Sequence, residues 1–150
     1  MHCSKRITST TPLIFSKVFN LNVRELMGKD FVIVKPGTKV TAATQVMKEK
    51  GSSCVVVGES KKPVGIVTEN DFVVRVLSAE KDPHTTPVSA IMSSSLVHVE
   101  PETSILDAIA IMHERNFSQL PVLQKGRMVG LVRLTDLMRY LVGFFSAHRW

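Results

Sequence analysis

The sequence predicts an α/β (α+β) protein built from two copies of one strand–helix–strand–strand–helix unit, packed as a pseudo-two-fold pair. Three observations predict it. A seven-residue stretch occurs twice, as Gly65-Ile66-Val67-Thr68-Glu69-Asn70-Asp71 and as Gly130-Leu131-Val132-Arg133-Leu134-Thr135-Asp136, an offset of 65 residues. The same offset runs without a gap from residue 23 to residue 142: Val23-Arg24-Glu25-Leu26-Met27 lies over Val88-Ser89-Ala90-Ile91-Met92, Val34 and Pro36 over Val99 and Pro101, and Ala43 and Met47 over Ala108 and Met112. Within each copy, β-branched runs alternate with segments whose apolar residues recur at helical spacing. A register this long means a duplicated unit.

The elements follow in order. Residues 1–22 form an N-terminal arm and helix: 1–11 are polar and without period, whereas Ile14, Phe15, Val18 and Phe19 share one helical face. The first repeat spans 23–78. Val23, Leu26 and Met27 predict a short helical turn ended by Gly28. Phe31-Val32-Ile33-Val34 predicts a buried strand. Thr38 is placed to cap a helix carrying Val40, Ala43, Val46 and Met47, which Gly51 ends. Cys54–Val57 and Val64–Val67 are strands joined by a polar turn over 58–62. A helix then opens at Thr68–Asn70 with Phe72, Val73, Val76 and Leu77 as its apolar face. Residues 79–87, with Asp82-Pro83 and Thr86-Pro87, form a linker.

The second repeat, 88–145, runs the same order: a strand at Leu96–Val99, a helix from Ile105 to Arg115, strands at Gln119–Leu123 and Met128–Val132, and a last helix from Thr135 to about Phe145, with 146–150 a tail. That helix is rich in apolar residues, which a helix–helix contact in a homodimer would bury. The methionines at 47, 92, 112 and 138 fall on core spacing. One repeat alone would be marginal, so two must share a core, and the clefts between them suit a small ligand.

Composition narrows the function classes. The chain has 150 residues, 44% of them apolar, enough for one domain and too many for disorder. No apolar run approaches the ~18 residues of a membrane span, and Leu13-Ile14-Phe15 is too short for a signal-peptide core. Cys3 and Cys54 make no disulfide framework, so a reduced, cytoplasmic setting is expected. The net charge of +6 attracts polyanions, but the Lys and Arg residues are scattered, which argues against a nucleic-acid face. No Ser/His/Asp set, metal cluster or phosphate-cradling Gly loop is visible, so catalysis is not expected. His2, Cys3 and His148 lack ligand spacing, and His113 falls on a solvated helix position.

The chemistry lies in the repeated stretch. Gly65 ends a strand where another backbone or a ligand can approach closely. Thr68 and Asp71 follow at a helix start, where free N–H groups favour an anion and where an ionised Asp can accept from adjacent hydroxyls. The same two residues are also what a helix N-cap requires.

These marks together resemble a tandem pair of CBS domains, a Bateman module: Val-x-x-(Leu/Ile)-Met, the Val-x-Pro step, the Ala and Met of the first helix, Leu120-Pro121-Val122, and Gly-(Ile/Leu)-Val-x-x-x-Asp. The resemblance implies adenosine-bearing ligands, AMP foremost, with ADP, ATP or S-adenosylmethionine as alternatives, bound in clefts that mix the two repeats. It assigns one site to Ile66, Thr68, Asn70 and Asp71 with Ser95, His98, Phe117, Ser118 and Gln119. It assigns the other to Leu131, Arg133, Thr135 and Asp136 with Asp30, Lys35, Ser53, Cys54 and Val55. The second departs from the family's Thr-x-x-Asp pattern at Arg133, which either clamps a phosphate or closes the cleft. The expected function is a non-catalytic nucleotide sensor that signals through a homodimer to an enzyme or transporter. The rival is a ligand-free docking module.

Overall fold

The computed structural model describes residues 16–147; the 1–11 arm, Leu13 to Phe15, His148, Arg149 and Trp150 lie outside them. The first repeat contains β1 (Ile33–Val34), α1 (Val40–Lys50), β2 (Cys54–Glu59), β3 (Lys62–Thr68) and α2 (Glu69–Phe72, prolonged by a π-helical turn, Val73–Leu77). The second contains α3 (Ile105–Arg115), β4 (Gln119–Gln124), β5 (Arg127–Arg133) and α4 (Leu134–Ala147). Each repeat opens with a 3₁₀ turn, Val23–Glu25 and Val88–Ala90.

β1 runs parallel to β2, and β2 pairs antiparallel with β3 in the order β1-β2-β3; β4 and β5 form the matching antiparallel pair. Both hairpins turn on two residues with left-handed φ, Ser60-Lys61 and Lys125-Gly126, as a type I′ turn demands. The turn is tighter than the expected 58–62 span, because β2 and β3 pair out to Glu59 and Lys62.

The expected strand at Leu96–Val99 is reduced to one bridge, Val99 to Val122. The reason is chemical. In the first repeat Val56 N donates to Val32 O (2.9 Å), but its counterpart is Pro121, which has no N–H to offer Val97. Only Val99 N to Pro121 O (3.0 Å) and Leu123 N to Val99 O (2.9 Å) survive.

The opening segments are exchanged between the repeats. Val23 N donates to Thr103 O (2.8 Å), Arg24 N to Pro101 O (2.9 Å), and Gly28 pairs with Leu131, so residues 22–28 belong to the second repeat's core with Val99, Ile105, Met112 and Leu137. Reciprocally, Val88 N donates to Thr38 O (2.8 Å), and Val88 and Ile91 pack among Val40, Ala43, Val55 and Val67. Glycine makes both contacts possible. A Cβ at Gly65 would lie 2.5 Å from Met92 Sδ, and one at Gly130 would lie 2.5 Å from Met27 Sδ. A third core of Cys54, Val56, Met128 and Leu131 joins the halves directly.

Several expectations need correction. Thr38 does not cap α1: Lys39 holds the N-cap place without a side-chain hydrogen bond, and Thr38 serves the exchanged segment instead. The second repeat does cap α3, through Asp107 N to Ser104 Oγ (3.0 Å). Val18 is buried, but its expected face-mate Phe19 is exposed. Of the apolar face expected on α2, Val76 is buried, while Val73 and Leu77 are 53% and 70% exposed. Met138, expected in the core, is exposed along with Val142 on α4. Met138 and Val142 are the 65-residue counterparts of Val73 and Leu77, so the two exposed faces are related by the repeat.

Candidate functional site

The cavity between the repeats is built from four backbone segments. The end of β3 and the start of α2 bring Ile66, Thr68, Glu69, Asn70 and Asp71. The exchanged segment brings Ser93, with Ser95 and Val97 just beyond it. The α3–β4 junction brings Asn116 to Gln119 and Pro121, and Ser53 completes the wall from the α1–β2 junction. Its volume is ≈ 480 Å³.

Local chemistry explains each placement. Asp71 is buried and folds back on its own helix start: Oδ2 accepts from Thr68 N (2.8 Å) and from Thr68 Oγ1 (3.1 Å), the acidic limb of a capping box. Its Oδ1 meets Arg75 Nε at 3.4 Å. Arg75 in turn donates through Nη1 to Ile91 O (2.9 Å) and Met92 O (3.2 Å), tying α2 to the exchanged segment. Ile66 and Ser93 exchange backbone bonds (3.2 and 3.0 Å), holding the serine segment at the cavity's edge. Ser53 Oγ donates to the buried Gln119 Oε1 (3.1 Å), a bond across the two repeats. Asn116 takes the left-handed α3 C-cap, the place Gly51 holds after α1, and so adds an amide where the first repeat has none. Phe117 is 41% exposed and lines the cavity.

Thr68 and Asp71 therefore do act as the helix cap, and open space remains beside them. An ionised carboxylate has about four acceptor positions, so these bonds leave Asp71 capacity for a ligand hydroxyl. The charged residues lining the cavity are Glu69 and Asp71.

Eight of the nine residues assigned to this site line it: Ile66, Thr68, Asn70, Asp71, Ser95, Phe117, Ser118 and Gln119. His98 does not; it is exposed and turns its Nδ1 to Leu96 O (3.3 Å), while Val97 faces the cavity. Val97 packs on the second repeat's core as its counterpart Val32 packs on the first, and His98, the counterpart of Ile33, is exposed. Ser53, assigned to the other site, lines this cavity as well as the space beside Arg133. Glu69, Ser93, Val97, Asn116 and Pro121 carried no signal beyond adjacency to assigned residues, apart from Asn116, whose helix-stop position matches Gly51.

The residues of the second set are arranged otherwise. Leu131 and Cys54 are buried in the core between the halves, and Val55 lies with no exposed surface in the first core. Burial pushes the Cys54 thiol up to about 11, with the nearby Arg133 guanidinium opposing that rise. Arg133 Nη1 lies 3.4 Å from where a Gly28 Cβ would stand, and 3.8 Å from Asp136 Oδ2. Asp136 also meets Arg139 Nη1 at 3.3 Å. Asp30, Lys35 and Thr135 are exposed. Arg133 stands beside Gly28, and the carboxylate of this half faces two guanidinium groups.

Among the described residues, no group of three or more His, Cys, Asp or Glu is arranged to hold a metal ion, and no helix is long and apolar enough to cross a membrane.

The chain is 30% identical over 128 residues to an uncharacterized protein of Methanopyrus kandleri, covering 82% of this chain and 65% of that protein. In structure it is similar to a protein with CBS domains from Burkholderia ambifaria, at TM-score 0.78 and 29% identity over 82% of this chain and 95% of that one. It is also similar to a hexameric CBS-CP12 protein from bloom-forming cyanobacteria, at TM-score 0.72 and 29% identity, over 79% of this chain and 66% of that one. The model of the CBS domain matches residues 23–78 and 88–143, the two repeats read from the 65-residue offset. The duplicated Gly-x-Val-x-x-x-Asp stretch, the exchanged opening segments and these matches have one conclusion: this chain belongs to the CBS-domain family, with two such domains in tandem.

Proposed function

We propose that this chain is a non-catalytic regulatory module that takes an adenosine-bearing ligand in the cavity between its repeats, AMP being the first candidate and ADP, ATP or S-adenosylmethionine the alternatives. The observation that carries the reading is a ≈ 480 Å³ space walled by both repeats, with Asp71 at a helix start and Phe117 on the opposing junction. A ligand there touches both halves at once, so its binding energy depends on how they pack. The exposed residues Val73 and Leu77 and their counterparts Met138 and Val142 support a homodimer as the body that carries the change to a partner protein in the cytoplasm.

The experiment is thermal denaturation with adenosine, AMP, ADP, ATP and S-adenosylmethionine, on the wild type and on Ser118→Trp. Ser118 is exposed at the cavity, so the indole fills the space without entering the core. At a ligand concentration one hundred times Kd the gain is about 2.7 kcal/mol, a shift of several degrees. The expected result is a shift with at least one compound that Ser118→Trp abolishes. No shift with any of the five favours the second reading, a ligand-free docking module. What speaks for that reading is that both Asp71 oxygens already have protein partners.

A further inference from the structure

Ser53 and Glu69 line two spaces, not one. Beyond them lies an open groove of ≈ 620 Å³ between the C-terminal end of α1, the start of α2 and Arg133, lined also by Lys48, Gly51, Ser52 and Phe72. The two spaces are opposite in charge. The charged residues lining the cavity are the carboxylates Glu69 and Asp71, whereas the groove carries Lys48 and Arg133 against Glu69 alone.

Arg133 is the residue of interest. Its side chain is 30% exposed, so its charge is less screened than that of a surface lysine. Its ion pair with Asp136 is 3.8 Å long, too far for a hydrogen bond, and no hydrogen bond from its guanidinium is found among the described residues. A guanidinium has five N–H donors in a planar fork that matches a phosphate. These donors stand beside a groove that shares its rim with the nucleoside-sized cavity. The counterpart in the first half, Thr68, has its hydroxyl committed to Asp71 Oδ2.

We infer that Arg133 serves the ligand of the first cavity rather than a second ligand of its own: the uncharged nucleoside end lies against Asp71 and Phe117, and the anionic tail crosses Ser53 into the groove to reach Arg133. This rests on the reading of the cavity as an adenosine site. It adds a direction and a selectivity. The carboxylates keep the phosphates out of the cavity, and Arg133 rewards a tail of two or three phosphates over one. The module is then a sensor of nucleoside di- and triphosphates, and the arginine that departs from the repeat pattern is its specificity determinant.

Isothermal titration of the full chain with adenosine, AMP, ADP and ATP, at one fixed ionic strength, tests this on the wild type, Arg133→Thr and Arg133→Lys. In the wild type, affinity rises from adenosine to ATP. Arg133→Thr lowers affinity for ADP and ATP about tenfold or more, the loss of one charge-assisted contact, and leaves adenosine binding unchanged. That unchanged binding also shows that the variant is folded. Arg133→Lys falls between, keeping the charge without the fork. If Arg133→Thr leaves ATP affinity unaltered, or weakens ATP and adenosine equally, the inference is overturned and the cavity reading stands. If no adenosine compound binds the wild type, both fall.

Discussion

Thr68 and Arg133 occupy the same place in two halves that share a helix–hairpin–helix order, a hairpin type and a glycine-to-methionine contact. At Thr68 the side chain turns back onto its own helix cap and leaves space in front of it. At Arg133 a side chain several atoms longer reaches across to Gly28 and toward Asp136. The aspartates differ accordingly: Asp71 is buried within the cap, whereas the side chain of Asp136 is 29% exposed between two arginines. A duplicated backbone thus makes two equivalent frames, and the volume and charge of one side chain decide what each frame can hold.

The comparison can be broken or sharpened by paired substitutions measured by chemical denaturation. The largest effect is expected in the exchanged segments. Ile91 is fully buried while its counterpart Leu26 is only partly so. Ile91→Ala is expected to cost about 2–5 kcal/mol and Leu26→Ala clearly less; equal costs would mean that the two exchanges contribute alike. Next comes the carboxylate pair. Asp71→Ala removes the bonds to Thr68 N and Oγ1 and is expected to cost about 1–2 kcal/mol. Asp136→Ala gives up ion pairs to a part-buried Arg133 at 3.8 Å and to an exposed Arg139, together expected to be worth under about 1 kcal/mol. A larger loss at Asp136 would contradict the geometry given for the second half. The helix caps follow. Ser104→Ala is expected to lose about 1 kcal/mol, and Lys39→Ser to gain up to a similar amount by giving α1 the cap that α3 already has.

The smallest effect leaves stability aside. Cys54 stands where the second repeat has Gln119. With its thiol pushed up to about 11 by burial, it holds very little thiolate at pH 8. In a Cys3→Ser background, a thiol reagent is expected to leave the folded chain unmodified at pH 8 and to react once the chain is unfolded. Ready reaction of the folded chain would show that the core between the halves opens.

The spacing of residues within each copy carried most of the architecture. The α3 boundaries, both hairpins and the start of α2 at Thr68 follow from periodicity, capping and turn chemistry, which act over a few residues. The site residues in the repeated stretch were readable for the same reason: the backbone that carries them is local. His98 was misplaced, and Val97 missed, because which side chain faces a cavity depends on strand pairing. That pairing was lost at one proline, Pro121, whose missing N–H matters only to a residue 24 positions away.

By itself, then, the sequence determined the duplication, the order of elements and the chemistry offered at each helix start, since these are written in local period and residue type. Only the tertiary structure decided that each opening segment packs on the other repeat, that α2 and α4 leave matching apolar faces uncovered, and that one of two equivalent frames holds a cavity lined by carboxylates while the other sets an arginine beside an open groove. Those outcomes depend on contacts between residues 27 to 103 positions apart, where what counts is the volume left by the partner, and no local pattern records it.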